Sequence, residues 1–153
     1  MAIGEICSRE VIFVGRNDSV ATAAKLMREH HIGSLVVVDK RGDKNVPAGM
    51  FTDRDVAVGV VALDLDPAES AVGDVMNPGL SAVREDTGVA ETVALMQQKG
   101  VRRLPVVNAA GDLVGLIAAD DLIQLLAEEM SLLAGMISRE ERQEKQLRRS
   151  PVS

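Results

Sequence analysis

Tryptophan and tyrosine are absent and phenylalanine occurs only twice, so aromatic residues make up 1% of the 153-residue chain. A core must therefore be built from Val, Leu, Ile, Met and Ala, and hydrophobic residues at 46% supply enough of them. Small branched side chains suit short strands and closely packed helices. Cys7 is the single cysteine, which excludes an intrachain disulfide and a thiolate zinc cage. Its reading is a small, buried apolar side chain. Basic charge is also in short supply: 17 Lys and Arg face 23 Asp and Glu, for a formal net charge of −6. This argues against a nucleic-acid backbone or an anionic membrane as the main partner, so any bound anion must be captured locally. No window approaches the roughly 18 uncharged apolar residues of a membrane span, and "MAIGEICSRE" lacks the basic start and long apolar run of a signal peptide. A cytoplasmic location is expected.

What is present is internal repetition. A shift of 69 residues lays "IGEIC" (Ile3 to Cys7) on "VGDVM" (Val72 to Met76), and "LMREHHIGSLVVVDKRGD" (Leu26 to Asp43) on "LMQQKGVRRLPVVNAAGD" (Leu95 to Asp112). Omitting Lys44 to Val46 then brings "GMFTDRD", Gly49 to Asp55, onto "GLIAADD", Gly115 to Asp121. Each copy reads as a short strand ("VIFV" or "LSAV"), then a helix with apolar positions three and four apart: Val20, Ala23, Ala24 and Met27, or Val89, Thr92, Val93 and Met96. A buried strand follows ("SLVVVD" or "RLPVVN"), a Gly-Asp turn, a second strand ("AGMF" or "VGLI") and a helix opening at the repeated phrase. The fold class is α/β (α+β): β-α-β-β-α given twice, over residues 1–64 and 65–126. A linker at about residues 61–70 joins the copies, Pro67 is expected to start a short helix there, and residues 127–153 form a helical extension and tail.

Thr52 followed three residues later by Asp55 has the spacing of a capping box at a helix start. The same carboxylate could accept hydrogen bonds from both hydroxyls of a ribose cis-diol, and the two roles are compatible. Arg54 could reach a phosphate or lie solvated on the surface. In the second copy Asp121 persists, but Ala118 replaces the threonine and cannot cap through its side chain. Arg102 and Arg103 stand where the first copy has Gly33 and Ser34, and guanidinium groups are good phosphate ligands.

The tandem arrangement, "G-h-h-T-x-x-D" at Gly49 to Asp55 and "RRLPVV" at Arg102 to Val107 resemble the CBS-domain pair, or Bateman module, from about Ile3 to Leu126. The resemblance implies two small α/β units packed sheet to sheet about a pseudo-twofold axis. It also implies two clefts for adenosine-containing ligands, of the AMP, ADP, ATP or S-adenosylmethionine type, and a homodimer. By it, Asp55 grips the ribose diol, Thr52 contacts ribose or phosphate, and Ser34, Ser81, Val101 and Arg102 complete the first cleft. The second cleft takes Asp121 and Arg103 with Ile12 and Ile32. Val36 departs from the pattern, standing where the second copy has Pro105.

His30 and His31 adjoin a helix end, where the dipole favours a cation; two adjacent histidines without a third ligand make no metal site. The linker acids lack EF-hand spacing. The last segment, with Glu141 before Lys145 and Glu144 before Arg148 at helix-stabilising spacing, reads as a helix. Its Leu125, Leu126, Leu132, Leu133, Met136 and Ile137 could cover a second subunit or cap the same chain. No P-loop, dinucleotide fingerprint, activated nucleophile or metal triad is present, so no enzyme, catalytic residue or required cofactor is expected. The expectation is a stand-alone sensor that signals to an unidentified protein partner. The alternative is a ligand-free interaction module in which Thr52 and Asp55 only cap a helix.

Overall fold

The computed structural model describes residues 1–79 and 82–149, in two compact units: Met1–Ala118 and the segment from Ala119 onward. The first holds two three-stranded sheets of identical design. In one, β1 (Phe13–Gly15) pairs parallel with β2 (Ser34–Arg41), which pairs antiparallel with β3 (Lys44–Thr52). Helix α1 (Val20–His30) crosses from β1 to β2, and α2 (Asp53–Val56) follows β3 and continues as a π-helical turn, Ala57–Val61. After the linker come α3 (Val72–Val75), β4 (Val83–Arg84), α4 (Val89–Lys99), β5 (Arg103–Val107) and β6 (Leu113–Ala118), in the same strand order and directions. Both sheets carry a register shift at the matching place, Val37/Val38 and Val106/Val107. The second unit is one helix, α5 (Ala119–Arg149), so the expected second-copy helix and terminal helix are continuous.

The apolar spacing predicted for α1 is realised, with Val20, Ala23 and Met27 buried. Ser19 caps it by accepting the Thr22 amide at 3.1 Å. In the second copy Gly88 stands at the cap and offers no side chain, while buried Thr92 donates its hydroxyl to the Gly88 carbonyl at 2.9 Å. The expected first strand of the second copy is shorter than "LSAV": only Val83 and Arg84 are strand, and Leu80 and Ser81 lie outside the described residues.

The linker corrects one expectation. Residues 67–69 form a turn, not a helix. Asp66 takes the capping role there, accepting the Ala68 amide at 2.9 Å, and the Ser70 hydroxyl donates to the Asp66 carbonyl at 2.8 Å. The linker carbonyls are used elsewhere: Pro67 and Ser70 accept the Ala21 and Val20 amides. First-turn amides of a helix have no partner within it, so the linker supplies one.

The two copies exchange segments. Val72 and Met76, which belong by sequence to the second copy, are buried in the first hydrophobic core with Val14, Val20, Leu35, Val37 and Phe51. The Asn77 amide donates to the Met50 carbonyl at 3.2 Å. Reciprocally, the Ile3 and Gly4 amides donate to the Thr87 and Glu85 carbonyls, and Ser8 and Leu116 exchange two backbone bonds of 2.9 Å each. Here the repeated glycine finds its purpose. A methyl group on Gly49 would lie 2.9 Å from the Asn77 carbonyl oxygen and from Met76 Sδ; on Gly115 it would lie 2.6 Å from Cys7 Sγ and 2.9 Å from the Ser8 carbonyl oxygen. Only a residue without Cβ lets the exchanged segment lie this close.

Candidate functional site

Strand alternation sorts the side chains around β2 and β3. Leu35, Val37 and Phe51 enter the first core, so Ser34, Val36, Met50 and Thr52 project from the opposite face. Cross-strand register places Ser34 opposite Thr52 and Val36 opposite Met50. The Val36 amide, which a proline would lack, donates to the Ile12 carbonyl at 3.4 Å. In the second sheet Arg103 lies opposite Ala118 and Pro105 opposite Leu116.

At the end of β3 the capping box is present in full. The Thr52 amide donates to Asp55 Oδ2 at 2.9 Å, and the Asp55 amide donates to Thr52 Oγ1 at 3.3 Å. Both residues are half-buried. This pins the turn from strand to helix and holds the carboxylate in one orientation. The Asp53 amide donates to the Gly33 carbonyl at 3.0 Å, tying the start of α2 to the residue before Ser34. Thus Ser34, Thr52 and Asp55 are brought together, while Arg54 is exposed in the first turn of α2.

A cavity of about 270 Å³ lies between the two halves of the first unit, lined by Met50, Asn77, Pro78, Gly79, Lys99, Val101, Arg103 and Leu104. Met50 comes from β3, Asn77 to Gly79 from the chain leaving the exchanged α3 segment, and Lys99 from the last turn of α4. Val101 and Arg103 flank the entry to β5. Two cations, an amide and an apolar wall converge, a lining suited to a ligand with an anionic group and an apolar body. The volume lies just below the usual ~300–1,000 Å³ of small-ligand sites.

Of the expected site residues, Val101 and Arg103 line this cavity, although the resemblance distributed them over two clefts. Arg102 is exposed beside them. Ile12 and Ile32 pack against the first hydrophobic core. Asp121 is exposed in α5, within the second unit, and Ser81 lies outside the described residues. Sequence reasoning missed Met50, Asn77, Pro78, Gly79, Lys99 and Leu104 as lining residues. One available signal was the break after "VGDVM": Pro78 and Gly79 stop a helix there. The two halves differ at this point. Arg9, which matches Pro78 in the repeat, donates to the Gly4 carbonyl at 2.7 Å and pairs with Glu85 at 3.2 Å. Among the described residues no group of three or more His, Cys, Asp or Glu is placed to hold a metal ion, and no helix is long and apolar enough to cross a membrane.

A family model for the CBS domain matches this chain twice, over residues 3–61 and 72–128. The chain belongs to the CBS-domain family. A relative from Methanopyrus kandleri, an uncharacterized protein, is 38% identical over 125 residues, 82% of this chain and 62% of that protein, so the chain spans less than two thirds of that relative. Hypoxic response protein 1 of Mycobacterium tuberculosis is 32% identical over 81% of this chain and 84% of its own length. A crystal structure of Hypoxic Response Protein I, with two coordinated zinc ions, superposes with a TM-score of 0.71 at 31% identity, covering 81% of this chain and 98% of that one. A CBS domain pair solved with 5′-methylthioadenosine and S-adenosyl-L-methionine gives a TM-score of 0.69 at 25% identity, covering 82% and 99%. These neighbours share the CBS-pair fold with this chain.

Proposed function

We propose that this chain is a regulatory sensor, not an enzyme, that binds an adenosine-containing ligand between its two CBS units. The observation that carries this reading is the cavity where Lys99 and Arg103 converge with Asn77 on an apolar wall. A neighbouring CBS pair holds methylthioadenosine and S-adenosylmethionine, which supports the adenosine class. The two cations of this cavity favour a phosphorylated member, AMP, ADP or ATP, over neutral methylthioadenosine. Asp55 retains acceptor capacity beyond its cap, since an ionised carboxylate has about four lone-pair sites. A ligand between the units shifts their arrangement only by its differential affinity for the two states. Readout by a protein partner, as a homodimer in the cytoplasm, completes the proposal. No cofactor is required.

The complete capping box favours a second reading, an interaction module in which Thr52 and Asp55 serve stability alone. Thermal unfolding against AMP, ADP, ATP, S-adenosylmethionine and methylthioadenosine separates them. A ligand at a hundredfold excess over its Kd stabilises the folded state by about 2.7 kcal/mol. The sensor reading expects a rise in Tm with a phosphorylated adenosine compound, reduced in Arg103→Ala. An unchanged Tm at millimolar concentrations of every compound would overturn it in favour of the interaction module.

A further inference from the structure

A second cavity, of about 500 Å³, lies where β1 ends beside the β2–β3 hairpin, and it shares no lining residue with the first. That volume falls within the range of small-ligand sites. Phe13 and Gly15 line it from β1, Val38 and Lys40 from β2, and Asn45 from β3. Register sets Gly15 beside Val38 and Asn45 opposite Lys40. The residues that distinguish this cavity are not repeated. The second copy has Ala82, Arg84 and Ala109 in place of Phe13, Gly15 and Lys40, and it lacks the segment Lys44 to Val46 that contains Asn45. Neither conformation nor packing demands the glycine. Its backbone is not left-handed, and an added methyl group would meet only Asp18 Oδ2, at 3.7 Å. The missing side chain leaves the cavity open where the second copy carries an arginine.

We propose that this cavity binds a free α-amino acid with an apolar side chain. Its charged lining balances, Arg16 and Lys40 against Asp18 and Asp39, so it favours a molecule carrying both charges over one of a single sign. Asp39 is spent on Arg16 through bonds of 2.6 and 3.2 Å. The Lys40 ammonium has no hydrogen-bond or ion-pair partner among the described residues, and a carboxylate is what it accepts best. On the opposite strand, Asn45 Oδ1 is the one buried side-chain polar atom among the described residues that lacks a hydrogen-bond partner. The backbone beneath it is fixed, because the Asn45 amide donates to Asp112 Oδ1 at 2.8 Å. Buried acceptors are almost always paired, and an ammonium group, with three donors and no acceptor, supplies the missing donor when the side chain turns to it. Asp18, whose Oδ2 accepts the Gly15 amide at 2.8 Å, adds negative charge for the same group. The apolar side chain of the ligand rests on Val38 and Phe13, which is 43% exposed although the other phenylalanine, Phe51, is fully buried. An α-amino acid bears its two charged groups on one carbon, a spacing that suits a cation and an acceptor on directly opposed residues of paired strands. The proposal is independent of what fills the cavity at Lys99 and Arg103.

The test is titration of the full chain with L-leucine and L-phenylalanine, followed by two-dimensional amide NMR. Both should give saturable shifts centred on the Gly15, Lys40 and Asn45 amides. Phenethylamine and 3-phenylpropionate, each lacking one of the two charged groups, should bind roughly tenfold more weakly than L-phenylalanine. Lys40→Ala, at an exposed position, should weaken both amino acids roughly tenfold and leave phenethylamine unchanged. Gly15→Leu, which fills the cavity, should abolish binding with the remaining amide spectrum preserved, and Arg103→Ala should have no effect on it. The absence of saturable shifts up to about 10 mM of either amino acid would overturn the proposal. Equal affinity for L-phenylalanine and 3-phenylpropionate would also overturn it, since the site would then hold a plain anion. Unchanged amino-acid affinity in Lys40→Ala would do the same and does not depend on whether Gly15→Leu folds.

Discussion

Asp55 carries two assignments on one side chain, and substitutions can separate them. As a cap, its carboxylate accepts the Thr52 amide at 2.9 Å. Asparagine keeps an acceptor oxygen at the same place, so Asp55→Asn should change Tm little, whereas Asp55→Ala should cost about 1 kcal/mol. In a chain of 153 residues that is a fall of roughly 2–4 °C. If Asp55 grips a diol, Asp55→Asn should still lose affinity for the adenosine ligand, since an amide offers one acceptor atom fewer. A second residue-scale prediction comes from comparing the copies. His31 ends α1 with φ +54°, in the left-handed region, where the second copy has Gly100 at φ +66°. A side chain there costs about 1–2 kcal/mol, partly offset because glycine gives a freer unfolded chain, worth ~0.4–1 kcal/mol. His31→Gly should therefore raise Tm by a few degrees, and a fall would mean the imidazole makes a compensating contact. The Thr52–Asp55 box was legible because both partners lie within four residues. Asn77 and Lys99 were not, because their meeting depends on how two distant segments pack.

At the scale of elements, α1, α4 and the central strands were readable from spacing and repetition. The linker was misread because a local rule, proline at a helix start, yielded to a tertiary demand. The first amides of α1 needed acceptors, and the Pro67 and Ser70 carbonyls provide them. The exchange of Ile3–Cys7 and Val72–Met76 was visible as a sequence repeat, but no local signal says which half receives each segment. Joining β1 to β2, Arg16 binds Asp39 through both nitrogens of a fork, Nε to Oδ1 at 2.6 Å and Nη2 to Oδ2 at 3.2 Å. The hydrogen bond from Arg16 holds the Asp39 carboxyl below the usual carboxylate range, against a smaller opposing effect of desolvation. A lowered native pKa means stability present above the unfolded value of about 3.9 and lost as pH falls through the native one. The stability difference between the parent and Asp39→Asn should therefore be constant from about pH 5 upward and shrink below about pH 4. Denaturant unfolding at a series of pH values reads this directly, and a difference that persisted at pH 2 would show that it arises from something other than the ionised pair.

For Met1–Ala118 as a whole, the segment exchange determines what can fold alone. The first core contains Val72, which is fully buried, and Met76; Ile3, also fully buried, has its amide bonded to Thr87 of the other half. Cutting the exposed linker before Pro67 would leave each fragment without a segment of its core and with its own segment unplaced. Domains of about 60 residues are already marginal because they bury only about 60% of their unfolded surface. Each fragment alone should accordingly show no cooperative thermal transition, and mixing residues 1–66 with 67–149 should restore one. Gly115→Ala provides a single-site counterpart: the added methyl meets Cys7 Sγ at 2.6 Å, an overpacking expected to cost about 1–3 kcal/mol. Cys7→Ala in the same chain should recover only part of this, since the Ser8 carbonyl remains 2.9 Å away. Ile3→Ala should cost about 2–5 kcal/mol and lower the single transition of both halves together, because the exchanged segments make the stability of each half depend on the other. If calorimetry instead resolved two transitions and Ile3→Ala moved only one, the halves would be independent, and a ligand bound between them could change their arrangement without loading either core.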